Sequence, residues 1–356
     1  MAVPDTRPYF QRPLIILLIL GSFWAITLPL AGLLASGLWP EGVGAIVFAY
    51  GIILGRTHFF VTLSIYLRRE NLEYFRSTRW TQLVYFGVPS LLLLGMFAID
   101  GLRLSTRFTA FFFVFNIVVR WADFTHVCRQ HYGVFQIFRG QSGGTFPKWM
   151  APVVNAFFMW MALMQTQTFL RDAHGVDWAL PRAIGLAVAG GLAVAVTVAM
   201  ASAWLRTANR AALVVPTVYL LSQAAGAALV LHRVEFYTVT LAMHYVEYHL
   251  IMMPRCFAAP LDETSRVDRV MAWLRRHKPI FYAALLGLAF WVTVWGLVWA
   301  RQPDADRIHA FGALFNGIFL VHFFVEAFIW KFSNPYFRRT LAPLYFPSLP
   351  KANEPV

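Results

Sequence analysis

Apolar residues run through this chain in long blocks, separated by short segments rich in arginine, proline and glycine. Each block approaches the roughly 20 residues that a helix needs to cross the hydrocarbon core of a bilayer. The blocks fall at 13–39, 43–67, 81–99, 108–137, 150–170, 182–205, 211–231, 235–253, 279–300 and 308–331. They predict an all-α chain, a polytopic integral membrane bundle of about ten transmembrane helices. The block at 108–137 is long, and its second half is polar enough to bend or to leave the apolar layer. No internal repeat is visible and no linker marks a second domain. The chain therefore reads as one integral membrane domain over 1–356, with a cytoplasmic loop at 254–278 and a proline-rich cytoplasmic tail at 332–356. Within that loop, PLDETSRVDRVMAWLRRHK predicts a short surface helix.

Composition strengthens this reading. Of the 356 residues 59% are hydrophobic and only 13% charged, against about a quarter charged in soluble domains. A net charge of +13 raises nucleic acid as a partner, but the arginines sit in short loops between apolar blocks. There they act as a topology signal, and no nucleic-acid partner is expected. With the N-terminus placed inside, the inner segments hold 20 Lys and Arg and the outer loops 7, with Arg56, Arg120 and Arg129 inside spans. That bias puts both termini in the cytoplasm, with a bacterial inner membrane as the expected location. Cys128 and Cys256 lie far apart and imply neither a disulfide framework nor a zinc ribbon. The first apolar block lacks a small-residue cleavage site and reads as a retained span.

Against this background the ionisable residues inside apolar blocks stand out. They are His58 in GRTHFF; Asp123, His126 and His131 in RWADFTHVCRQHYG; His244, Glu247 and His249 in LAMHYVEYHLIMM; and His322 and Glu326 in FLVHFFVEAF. Such groups cost a few kcal/mol each at mid-membrane, which makes them functional candidates. Under the inferred topology the four spans concerned all run from outside to inside. His58, His244 and His322 each lie nine residues before the inner end of their span, His126 eleven, His131 six and His249 four. Nine residues is roughly 14 Å of depth, so histidines gather in one layer.

Imidazoles and carboxylates in one interior suggest a metal site. His322 and Glu326, four apart, share a helix face, as ligands or as a ligand and its orienting partner; a buried ion pair is the alternative. His244, Glu247 and Tyr248 share a face, whereas His249 lies about 140° round; it either reaches the same point through a π-bulge or serves a second metal, and an interfacial histidine is the alternative. Asp123, His126 and Gln130 form one face, and His131 points elsewhere. Arg120 and Arg129 should face protein, pairing with Asp123, Glu247 or an anionic part of a substrate. His58 has Thr62 one turn on. His174, His232 and His277, and His309 with Asn316, read as ordinary boundary or loop residues. The metal candidates are therefore His58, His126, His131, His244, His249 and His322, with Asp123, Glu247 and Glu326 in catalytic or orienting roles. Arg120, Arg129, Tyr245 and Tyr248 are substrate-binding candidates, and the aromatics Phe59, Phe60, Phe323 and Phe324 could line a tunnel or simply pack. Four histidines suit one iron with open positions; six with carboxylates suit two. Haem is disfavoured, because paired histidines at two depths and a CxxCH site are both missing.

The histidine order resembles that of the Brp/Blh membrane carotene oxygenases. Their early histidine, their histidine next to an acid, their close pair and their final histidine with an acid correspond to His58, His126 with Asp123, His244 and His249, and His322 with Glu326. The resemblance covers four short stretches. No glycine follows His58 or His126, the pair is five apart, and Glu stands where that family has Asp. HVCRQH and HYVEYH are also loosely similar to the HxxxxH boxes of membrane fatty-acid desaturases and hydroxylases, but no HxxHH is present. The resemblance implies an iron-dependent oxidoreductase or oxygenase of lipid metabolism. It would act on a carotenoid or acyl chain with dioxygen, and in the desaturase case with a separate electron donor. A transporter or proton relay with an intramembrane His/Glu site, and a haem-binding electron-transfer subunit, remain the competing readings.

Overall fold

The computed structural model describes residues 8–101, 109–176, 182–258, 260–262, 264–300 and 305–346. Among these residues the regular structure is entirely helical. Arg7, Arg103, Arg107 and Arg301 of the topology argument, and the tail beyond Phe346, lie outside the described residues, as do the side chains of His309 and Asn316.

Among the described residues four helices are long and apolar enough to cross a membrane: Pro13–Ser36, Pro40–Leu67, Arg182–Arg206 and Arg210–His232. A fifth candidate is the pair Arg266–Arg276 and Lys278–Val294, bent by 102°. The remaining expected spans are also helical, including Val88–Gly101, Thr109–Gln141, Met150–His174, Phe236–Phe257 and Ala305–Ile329. Several of these carry the histidines, acids and arginines singled out above, as does Pro40–Leu67 with Arg56 and His58. The four apolar helices turn large side chains outward, among them Leu14, Leu17, Leu186, Val194, Val198 and Leu205. An exposed apolar face of this extent is what a lipid environment accommodates and water does not.

The chain groups into two compact units. One comprises Met1–Val47, Ile117–Leu250 and Tyr345–Ser348; the other comprises Phe48–Asn116, Ile251–Leu344 and Leu349–Val356. In the first unit Met150–His174 packs against both Arg182–Arg206 and Val214–His232. Indole donors fasten these contacts: Trp160 Nε1 donates to the Gly185 carbonyl at 2.9 Å and Trp204 Nε1 to Thr217 Oγ1 at 3.0 Å. Fully buried Phe124, Phe135, Phe158, Tyr219 and Tyr248 fill the interior. Tyr345, at the end of the described chain, returns to this unit, where its carbonyl accepts from Gln141 Nε2.

In the second unit Val88–Gly101 lies closely along Ala305–Ile329. Gly317 permits the approach, since a Cβ there would stand 3.1 Å from the Leu93 backbone. Below it, Ile65, Phe75, Tyr85, Val325, Ile329 and Phe337 form a core. Tyr74 stacks on Tyr336 at 3.9 Å and Phe75 on Tyr85 at 4.0 Å. Buried Asn71 ties this core together, donating to the Ile65 carbonyl at 2.8 Å and accepting from Tyr336 Oη at 2.7 Å.

Among the described residues three π-helical turns occur, at Ser22–Thr27, Gly51–Arg56 and Leu83–Gly87. None falls between His244 and His249, so the π-bulge that would have brought both to one site is not formed; Phe236–Phe257 is α-helix, with Pro254 near its end. The turn that serves a histidine is Gly51–Arg56, immediately before His58.

Overpacking should expose the close helix contact. Gly317→Val is expected to cost about 1–3 kcal/mol and to lower the thermal unfolding temperature in detergent. Gly190→Val, at a helical position with open space around it, should leave stability unchanged or raise it slightly, since valine is the better helix former.

Candidate metal centre

In the second unit, helix Pro40–Leu67 presents His58 and Thr62, and helix Ala305–Ile329 presents His322 and Glu326. All four are buried. The imidazoles of His58 and His322 meet edge to face with centroids 4.7 Å apart. His58 Nδ1 pairs with the Gly55 carbonyl, which makes Nδ1 the protonated nitrogen and leaves the lone pair on Nε2. Thr62 Oγ1 donates to the His58 carbonyl at 3.2 Å and lies 2.6 Å from His322 Nδ1. Either group can donate in the short Thr62–His322 contact: where Nδ1 donates, His322 Nε2 carries a lone pair, and where Thr62 donates, Nε2 carries the proton. That Nε2 lies 3.6 Å from Glu326 Oε2, while Trp330 Nε1 donates to Glu326 Oε1 at 2.9 Å. Two lone-pair atoms facing each other repel unless positive charge lies between them. A spacing of 3.6 Å suits two ligands each about 2.0–2.2 Å from one ion; a proton on Nε2 would satisfy the same pair as an ion pair.

In the first unit the acid plays a different part. Glu247 is completely buried and accepts from Gln223 Nε2 at 2.6 Å, from His131 Nδ1 at 2.9 Å and, more weakly, from Gln130 Nε2 at 3.4 Å. Gln130 Nε2 also donates to the His244 carbonyl at 2.9 Å, and Tyr219 Oη donates to that of His131 at 3.3 Å. Glu247 thus fixes the tautomer and the plane of His131 and turns its Nε2 outward, the role carboxylates take behind ligating histidines. His244 packs against His126 at 5.0 Å and His131 at 6.5 Å between centroids. A cavity of about 20 Å³, measured over the positions a water centre can occupy, is lined by His131, Gln165, Gln223 and Cys128 among others. It is large enough for one water.

The structure thus sets His322 between His58 and Glu326, and gathers His126 and His131 against His244, with Glu247 holding His131. His131 does not point away from the cluster, as its five-residue step from His126 suggested; it is the partner of Glu247. His249 is buried, but it lies about 140° from His244 on a regular helix. Asp123 is buried and meets Arg120 Nη1 at a long 3.5 Å, and Arg120 lies over the Phe169 ring at 5.4 Å. Arg129 is exposed, contrary to the expectation that it faces protein, and Glu247 takes glutamines and histidine where an arginine was expected. Tyr248 is fully buried and Tyr245 half-buried, 5.6 Å from His244. Phe59 and Phe323 meet His322 at 5.1 and 5.7 Å, and Phe324 belongs to the hydrophobic core with Phe328.

Sequence reading passed over Gln223, Tyr219, Gln165 and Trp330. The signal was present in Tyr219 and Gln223, which stand four apart within an apolar block and so share a face.

No protein-family model matches this sequence, and no curated protein or solved structure matches it either.

Glu247→Ala would strand the donors of Gln223, Gln130 and His131 in an apolar interior. It is expected to cost about 2–4 kcal/mol, against about 1 kcal/mol for Thr62→Val, measured by chemical unfolding in mixed micelles.

Proposed function

We propose that this chain is an integral membrane, metal-dependent oxidoreductase, a non-haem iron oxygenase acting on a lipophilic substrate such as a carotenoid or acyl chain. The observation that carries the proposal is buried His322, which meets the His58 ring edge to face and lies beside Glu326 within one unit. Imidazoles and a carboxylate are the ligand types of non-haem Fe(II) oxygenases. Both imidazoles have their Nδ1 engaged by protein oxygens, which pre-orients each Nε2 lone pair for a cation. Bound there, iron would supply dioxygen activation. The residues of the chain would do the rest: Gly55 and Thr62 fix the two rings, Trp330 holds Glu326, and Phe59 and Phe323 keep water from the imidazoles.

In the first unit His126, His131 and His244 offer a second set of nitrogens, with Glu247 as the orienting carboxylate and His249 and Asp123 in outer positions. Arg120, Tyr245 and Tyr248 are the polar and aromatic groups nearest that set for a substrate to meet; exposed Arg129 could engage only a substrate's anionic end at the surface. About ten spans, cytoplasmic termini and a bacterial inner membrane complete the reading, supported by the apolar blocks and the bias of basic residues.

A proton relay is the second reading. The hydrogen-bonded series Gln223, Glu247, His131 beside a water-sized cavity favours it, because such chains carry protons in membrane proteins.

The test is the metal content of detergent-purified protein from anaerobic, iron-supplemented expression, with an optical spectrum. Iron at about one equivalent or more per chain, without a Soret band, is expected. His322→Ala and Glu326→Ala should lose the iron of the second unit, and His244→Ala reads the first unit separately. A folded protein free of metal leaves the relay and ends the oxygenase reading.

A further inference from the structure

The histidines do not exhaust the polar interior of the second unit. Arg68 directly follows helix Pro40–Leu67 in extended backbone and is only 4% exposed. Its Nη2 donates to Glu70 Oε2 at 3.0 Å and to the Pro260 carbonyl at 2.8 Å. Its Nε and Nη1 are buried and have no partner among the described residues. Arg275, on helix Arg266–Arg276, donates through Nε to the Cys256 carbonyl at 2.6 Å, and its Nη2 is buried in the same state. Both guanidiniums therefore grip the short stretch from Cys256 to Pro260 that closes helix Phe236–Phe257. Arg255, almost fully buried, is the residue before it.

Capping the carbonyls at this helix end accounts for one nitrogen of each arginine, and leaves Arg68 Nε and Nη1 and Arg275 Nη2 unexplained. The acids nearby are already committed. Glu70 is half exposed and held by Arg68 Nη2. Asp268 is buried, but its two oxygens accept the backbone N–H groups of Arg69 at 2.7 Å and Asp262 at 2.8 Å. Asp262 and Glu73 are taken by Arg69. Burial and the charge of Arg68 both lower the Arg275 pKa, as expected where positive charge gathers with too few anions. A buried charged donor without an acceptor is costly, and an anion from outside the chain is the standard remedy.

We propose that Arg68 and Arg275 form a binding site for an anionic phosphate group. Several guanidinium donors converging from separate chain segments suit a tetrahedral anion with several oxygens better than a single-point acceptor. The helix that carries Arg275 has Val270 and Trp273 exposed beside exposed Arg269 and Arg276, and turns by 102° into the apolar helix that follows. A basic, Trp-bearing helix of this kind lies at the level of lipid headgroups. The phosphate could thus belong to an anionic phospholipid or be free in solution. The site stands independently of any metal.

The test uses the full-length protein in detergent. Native mass spectrometry reads binding of phosphatidylglycerol against phosphatidylcholine, whose phosphate is masked by its own cation, and thermal unfolding reads the effect of inorganic phosphate. The wild type should prefer phosphatidylglycerol by about tenfold. Arg275→Gln should remove that preference, while Arg269→Gln, an exposed arginine on the same helix, should leave most of it. Stabilisation by millimolar inorganic phosphate, lost in Arg275→Gln and without lipid preference, assigns the site to free phosphate. Equal losses in the two variants would mean surface charge alone, and no binding of either probe by folded wild type would mean no site; either result overturns the proposal.

Discussion

A polar group placed in an apolar helix must find its partner inside the protein, because neither lipid nor packed side chains supply one. That constraint organises the interior of both units. Glu247 has no exposure and takes three donors. The Thr62 hydroxyl links the His58 carbonyl to the His322 ring across two helices. Asn71 does the same for the aromatic core. In each case helices that are distant in sequence are held at one register by a short polar chain, while the apolar contacts around it are tolerant of sliding.

The same constraint separates the two acids. Glu247 is saturated by neutral and imidazole donors, so its work is to orient. Glu326 has one oxygen held by Trp330 and the other 3.6 Å from His322 Nε2. A carboxylate beside an imidazole nitrogen can ligate alongside it, whereas one saturated by donors orients the imidazole it holds. The geometry therefore supports His322 and Glu326 as candidate ligands and Glu247 as the group behind His131.

Much of this was legible in the chain. Ionisable residues in apolar blocks located the buried clusters, and the four-residue step placed Glu326 beside His322. What the step rules missed came from partners on other helices. A five-residue step says that His126 and His131 diverge, yet both rings reach His244, because neighbouring helices approach from different sides. Gln223 carries no charge, so it drew no notice, although it makes the shortest contact to Glu247. Arg129 was expected inside on the cost of lipid exposure alone, and it is exposed. A π-bulge was one of two ways for His249 to act beside His244, the other being a second metal. The chain places its π-turn at Gly51–Arg56 instead, where it sets the approach to His58.

The most direct measurement is an anaerobic calorimetric titration of metal-free protein with Fe(II), comparing wild type with Glu326→Gln and Glu247→Gln. If Glu326 ligates and Glu247 orients, the first change should abolish binding in the second unit, and the second should weaken binding in the first unit by about 10–100-fold while leaving binding in the second unit intact. Failure of the folded wild type to bind, or indifference of binding to Glu326, would contradict the account.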